Sequence, residues 1–251
     1  MRRYGQDPAK LEDARIPRRA VAAFLELHVE QGPNLYEKKI PIGVVQGIVA
    51  VRRWNCVISG FANHAGTTPM NRRHDALAAA AKAVLAVREV VRAEPGTQVG
   101  TVGMMKVEPG APNVIPGRAE FSVELRDLDD AKVANMWDRV VQRLRAGDRE
   151  EGVDTRCDSI DEASSARADA NVQAAIREAA KAARLESTDL PSFAGQDSQN
   201  LAKVAPMGMI FVPSKDGISH APKEYSSPED IANGAEVLYR TLLLLDQRLD
   251  P

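Results

Sequence analysis

Four histidines are the residues of this 251-residue chain most able to do chemistry, and three sit in unusual company. His28 lies in Glu26-Leu27-His28-Val29-Glu30-Gln31-Gly32-Pro33, where an apolar run meets a turn. His64 lies in Asn63-His64-Ala65-Gly66-Thr67-Thr68-Pro69-Met70, where small residues and turn formers offer nothing to a core. His220 lies in Ile218-Ser219-His220-Ala221-Pro222. A neutral imidazole is the commonest metal ligand and can also move protons near neutral pH. Gln31, Gln196, Asn113 and Arg126 are the polar residues that could hold a substrate, and the planar guanidinium of Arg126 suits a carboxylate. Each has a plainer reading as well. His64 could hydrogen-bond within its own loop, near Asn63 or Thr67. Gln31 could steady a turn, Asn113 could be a loop residue between prolines, and Arg126 could pair with Asp127 or Asp129. His74, beside Arg72 and Arg73 at a helix start, reads as part of a solvated face.

These residues need elements to position them. An apolar run from Val21 to Val29 reads as a strand that carries His28 to the Gln31-Gly32-Pro33 turn, followed by a short helical segment. Gly47 to Gly60 reads as a second strand, and Leu77, Ala81, Val84, Val87 and Val91 recur at helical spacing. Val99 to Val107 is strand-like. Ala119, Phe121, Val123 and Leu125 then alternate with polar residues, which places Arg126 on the polar side of a half-buried strand. Asp129 and Asp130 can cap a helix with Val133, Trp137, Val140 and Leu144 on one face. A strand near Val153 to Cys157 completes a β-α-β-β-α-β order, the ferredoxin-like unit. Beyond it come a helix near Ala170 to Ala183, a buried strand Met207 to Val212, and a last helix. Ser227 would cap that helix, with Ile231, Ala235, Leu238, Leu242, Leu245 and Leu249 as its apolar residues. Three segments result: 1–45, 46–158 and 159–251.

Composition narrows the function classes. Lys and Arg number 33 against 35 Asp and Glu, so no basic footprint for nucleic acid or anionic membrane stands out. The longest apolar run, Leu242 to Leu245, is too short to span a bilayer. Cys56 and Cys157 fit no metal-ligand spacing, and without a hydrophobic signal segment they read as free thiols of a reduced, cytoplasmic protein. Trp54 and Trp137 read as core or interface residues.

Taken in order with Pro109-Gly110-Ala111-Pro112-Asn113-Val114-Ile115-Pro116-Gly117-Arg118, the three histidine motifs resemble the M20-type metal-dependent amidohydrolases. The branch is that of N-carbamoyl-L-amino-acid hydrolases, β-ureidopropionases and allantoate amidohydrolases. The resemblance implies an α/β metal-binding domain with an inserted ferredoxin-like lid that also dimerises. It implies hydrolysis of linear amide or ureido C–N bonds by two divalent metal ions, zinc or manganese, with His28 and His220 as ligands. His64 would stabilise the oxyanion, Gln31 and Gln196 would contact substrate, and Asn113 with Arg126 would bind the carboxylate of a small molecule. Where the family carries Gly and His, this chain has Phe193 and Gln196, and Gln cannot become charged. The family's remaining ligands, a histidine, a bridging aspartate and a glutamate, together with its glutamate base, have no counterpart. No His-x-Asp or Glu-Glu pair occurs in the first twenty-five residues. Two readings follow: a hydrolase whose missing segment comes from a separate chain, or a truncated homologue that acts as a dimerising or ligand-binding protein.

Overall fold

The computed structural model describes residues 2–5, 7–17 and 20–249. The chain divides into two compact units, one made of the residues up to Ile48 with those from Ala166 onward, the other running from Val49 to Ser165. In chain order the elements are β1 (Phe24–Val29), α1 (Asn34–Lys38), β2 (Ile42–Ile48), β3 (Ala50–Ser59), β4 (Asn63–His64), α2 (Ala76–Ala93), β5 (Val99–Thr101), β6 (Met105–Glu108), β7 (Val114–Ile115), β8 (Arg118–Asp127), α3 (Asp130–Glu151) and β9 (Asp154–Ala163). They continue as β10 (Ala166–Arg167), α4 (Ala170–Ala182), β11 (Ser187–Ser192), α5 (Ser198–Leu201), β12 (Met207–Val212) and α6 (Pro228–Leu249).

The first unit is an α/β layer structure. Its sheet runs β1-β12-β2-β10, with β11 also paired to β2. β12, Met-Gly-Met-Ile-Phe-Val, is buried at every residue, as an apolar run must be when both sheet faces are covered. One face packs Ile42, Val44 and Ile210 against Val172, Ile176 and Val237 of α4 and α6. The other gathers Leu35, Val45, Met209 and Phe211. Ser227 does cap α6, its Oγ accepting from Asp230 N at 3.0 Å. The α6 face differs from the sequence pattern: Gly234, Val237, Thr241 and Leu245 are buried, while Ile231, Ala235 and Leu242 are exposed. Gly234 explains the choice, because a Cβ there would come within 2.5 Å of Val212 and 2.7 Å of Leu27. The helix sits tightly on the sheet through that glycine.

In the second unit the sheet order is β5-β8-β3-β9, with β6 also on β8, all antiparallel. Its two helices cover one face. Ala119, Phe121, Val123 and Leu125 of β8 are fully buried there with Val133, Met136 and Val140 of α3, the alternation read from the sequence. Trp54 and Trp137 stack at 3.8 Å between ring centroids.

Four expectations are corrected. The strand read as 47–60 is two strands in different sheets, β2 and β3, because the chain crosses between units at Val49. Val99 to Val107 is broken into β5 and β6, both on β8. On α2 the buried residues are Ala76, Ala79, Ala80, Ala83, Ala86, Val87, Val90 and Val91, while Leu77 is exposed. Small alanines let the helix lie close to the sheet. Lastly, Cys56 and Cys157 are not free thiols: they face each other across β3 and β9 and form a disulfide. Antiparallel register supplies a proximity that 101 residues of separation conceal in the sequence. Among the described residues no helix is long and apolar enough to cross a membrane.

Candidate functional site

Strands β1 and β12 run parallel and end together, His28 beside Phe211 and Val29 beside Val212. Ligands of open α/β sheets bind beyond such strand ends. The chain leaving β1 is fixed at once. Glu30, only 8% exposed, accepts from Asn34 N at 3.0 Å, Asn34 Nδ2 at 2.7 Å and Leu35 N at 2.7 Å, which satisfies the free N–H groups of the first turn of α1. Gln31 adopts a left-handed φ of 59°, and its N–H donates to the buried Ser214 Oγ at 2.9 Å. Gly217 (φ +66°) allows the facing loop to close in, since a Cβ there would lie 2.7 Å from Pro33 N.

These constraints bring together three residues far apart in sequence. Gln31 Nε2 donates to Ser219 Oγ at 3.0 Å and to His220 Nε2 at 3.2 Å, and Gln196 Nε2 donates to Gln31 Oε1 at 3.1 Å. An amide NH₂ can only donate, so in this pair His220 Nε2 is the acceptor. Glu224 closes the group, accepting from Ser219 Oγ at 3.0 Å and His220 N at 3.2 Å. The loop with Gln196 is held by Glu26, whose carboxylate accepts from Ser198 N at 2.9 Å and Ser198 Oγ at 2.6 Å. Ser214, Ser219, Glu224 and Glu26 were not singled out from the sequence. Glu26 and Ser219 lay inside the quoted motifs, but Ser214 and Glu224 carried no signal.

His28 donates from Nδ1 to Val29 O at 2.8 Å, which leaves its Nε2 lone pair free. That backbone contact is the usual second partner of a metal-bound imidazole. The donor set is nevertheless short. Among the described residues no three His, Cys, Asp or Glu side chains come together as a metal-holding group. Two imidazoles, one of them taken by Gln31, do not make the three- or four-ligand set a stable zinc site requires.

In the second unit, His64 and Asn113 are neighbours. β4 pairs with β7, His64 opposite Val114, and Ala65 N donates to Asn113 O at 2.9 Å. His64 Nδ1 accepts from Gly66 N at 3.0 Å and Thr67 N at 3.2 Å. The plainer reading of His64 is therefore true of one nitrogen, and it leaves the other protonated and exposed as a donor. Arg73 clamps the same loop, donating from Nη2 to Ala65 O at 2.6 Å and from Nε to Thr68 O at 3.2 Å.

Arg126 is not brought to Asn113. It lies opposite Val51 on β3, whereas Asn113 adjoins the far end of β8, where Arg118 faces Ser59. The strand between them spans about 26 Å at roughly 3.3 Å per residue. Nor does Arg126 Nε pair with Asp127 or Asp129; it donates to Glu124 Oε1 at 2.6 Å. Arg53 reaches the other oxygen of Glu124 at 2.5 Å and Asp161 at 2.5 Å. Burial pushes the Glu124 carboxyl up, but the hydrogen bonds from Arg126 and Arg53 outweigh it and hold the group below its ordinary value. The Arg53 guanidinium is raised, chiefly by its bond to Glu124.

The sequence profile of Peptidase family M20/M25/M40 matches residues 7–244. The chain belongs to the M20 family. The M20 chain is 41% identical over 98% of its length to an N-carbamoyl-L-amino acid amidohydrolase of Geobacillus stearothermophilus, covering 60% of that protein. It is 33% identical over 88% of its length to an allantoate amidohydrolase of Escherichia coli, covering 54% of it. Among solved structures, an amidase of the hydantoinase/carbamoylase family from Burkholderia multivorans superposes with a TM-score of 0.86 at 39% identity, over 90% of this chain and 55% of that one. The M20 chain thus spans little more than half the length of these relatives.

Proposed function

We propose that this chain is the substrate-holding portion of a hydrolase of linear amide or ureido C–N bonds, with N-carbamoyl-L-amino acids or allantoate-type compounds as substrates. The observation that carries the reading is the Gln31–His220–Gln196 group beyond the ends of β1 and β12. Two carboxamides and an imidazole offer the mixed donors and acceptors that a ureido group needs. The names of the relatives point the same way. His64 would donate its remaining N–H to the carbonyl oxygen as that oxygen gains charge. Arg126 would take the substrate carboxylate as a planar partner.

The second unit, with its β3-α2-β5/β6-β8-α3-β9 order, would serve as a ferredoxin-like lid and dimerisation domain inserted in the α/β domain. Dimerisation through the second unit is part of the same proposal, and one copy alone does not offer Asn113 and Arg126 to a single carboxylate, since they lie at opposite ends of β8. Among the described residues His28 and His220 do not by themselves complete a site for the zinc or manganese of the family. A second reading, supported by the same Gln31–His220–Gln196 group, is a homologue that binds substrate without turning it over.

Calorimetry of the full chain with an N-carbamoyl-L-amino acid tests the proposal. Binding that Gln31→Ala weakens at least tenfold is the expected result, and a chain that binds neither a carbamoyl amino acid nor allantoate overturns it. Ammonia release with added zinc, manganese or cobalt, measured with and without a co-expressed N-terminal segment of a full-length relative, separates the two readings: turnover in the mixture supports the hydrolase, and its absence with binding retained supports the binding protein.

A further inference from the structure

On the basis of the proposed role of Arg126 as partner of a substrate carboxylate, we infer that Glu124 is the positioning residue that aims its guanidinium, with Arg53 and Asp161 holding Glu124 in turn. Glu124 and Arg126 alternate along β8 with the buried Val123 and Leu125, so both point to the sheet face away from the helices. Arg126 Nε donates to Glu124 Oε1 at 2.6 Å, and the two side chains are only 23% and 25% exposed. A bond at Nε fixes the plane of a guanidinium. A plane fixed in advance loses less freedom when a carboxylate arrives.

Strand register builds the support for Glu124. Arg53 of β3 lies directly opposite Glu124, and Asp161 of β9 lies directly opposite Arg53, which lines the three up across adjacent strands. Asp161 joins that row through a bulge. The pairing of β3 with β9 is continuous as far as Trp54 with Ser159; Ile160 is then passed over, and Arg53 faces Asp161. Without the extra residue, Asp161 would share the helix-covered face with Cys157 and Ser159. Bulges re-aim side chains in this way. Arg53 donates from Nε to Glu124 Oε2 and from Nη1 to Asp161 Oδ2, each at 2.5 Å.

The charges explain why two arginines share one carboxylate. Glu124 alone beside Arg126 would cancel the positive charge that a substrate carboxylate needs. Arg53 offsets Glu124, so Arg126 keeps its attraction for an anion while Glu124 keeps its hold on Nε. Asp161 balances Arg53 from the most solvated position of the four, 50% exposed, where water and salt screen its charge most.

The test is calorimetry of the full chain with an N-carbamoyl-L-amino acid and with its neutral carboxamide, on the wild type, Glu124→Gln and Arg53→Met, together with ¹⁵N spectra of the arginine Nε–H groups. Glu124→Gln decides by direction. Simple removal of a negative charge would tighten the binding of an anion, whereas loss of aim weakens it. The expected result is at least tenfold weaker binding of the carboxylate by both variants, with binding of the carboxamide changed less than twofold. The Arg126 Nε–H should exchange at least tenfold faster in Glu124→Gln. Retained carboxamide binding also shows that each variant is folded. Unchanged or tighter carboxylate binding by Glu124→Gln, equal losses for the two compounds, or an Arg126 Nε–H that exchanges alike in both proteins overturns the positioning role and leaves the hydrolase reading in place. A wild type that binds neither compound overturns that reading and the positioning role with it.

Discussion

Reducing the Cys56–Cys157 disulfide should destabilise the second unit more than any single side-chain change there. The bond joins strands β3 and β9 and closes a loop across a sequence separation of 101 residues. Loop-closure entropy for about 100 residues corresponds to about 4.7 kcal/mol at 25 °C. With a melting entropy of about 2.1 cal/mol/K per residue, a unit of roughly 120 residues would lose about 15–20 °C of melting temperature. Thiol titration of the unreduced, denatured chain should find no free thiol, and scanning calorimetry with and without a phosphine reductant should show the shift. Cys157→Ser should reproduce the reduced melting point, because the strand partners remain opposite one another. Two titratable thiols in the unreduced chain, or equal melting temperatures, would refute the reasoning.

Arg73→Gln should release the His64 loop. In ¹⁵N spectra the wild-type ring should be the Nε2–H tautomer, and the variant should show a mixture with faster exchange at Gly66 and Thr67, whereas unchanged spectra would remove Arg73 from a positioning role. Glu124 has a carboxyl held below its ordinary value, so its contribution is present above the unfolded value, near pH 4.3, and is lost as pH falls through the lower folded value. Glu124→Gln should accordingly melt lower at neutral pH and show a smaller fall on acidification, which a series of melts from pH 3 to 7 would record. Gly217→Ala, at φ +66° and close to Pro33, should cost about 1–2 kcal/mol and weaken carbamoyl-amino-acid binding, with equal affinity counting against the two-loop account of Gln31.

Local pattern was enough for the elements whose environment is local. β8 alternates because one of its faces meets helices, and Asp129 caps α3 by bonds to Ala131 N and Lys132 N at 2.9 and 3.2 Å. The motifs around His28, His64 and His220 were legible because turn formers and small residues gather where the chain must bend without building a core. Which face of a helix is buried was not legible for α2 or α6. Alanine and glycine carry little hydrophobic signal, yet they allow the closest approach to a sheet, so Leu77 and Leu242 lie outside.

The sequence by itself determined the family, the α/β class and the polar residues worth testing, since these follow from residue type and order. Only the tertiary structure decided which of them meet. Register across β3 and β9 turned two distant cysteines into a bond. The facing loops at Ser214 and Gly217 set Gln31 against His220, and the length of β8 kept Asn113 from Arg126. Proximity is a property of strand pairing and loop closure, and neither is written in the spacing of residues along one chain.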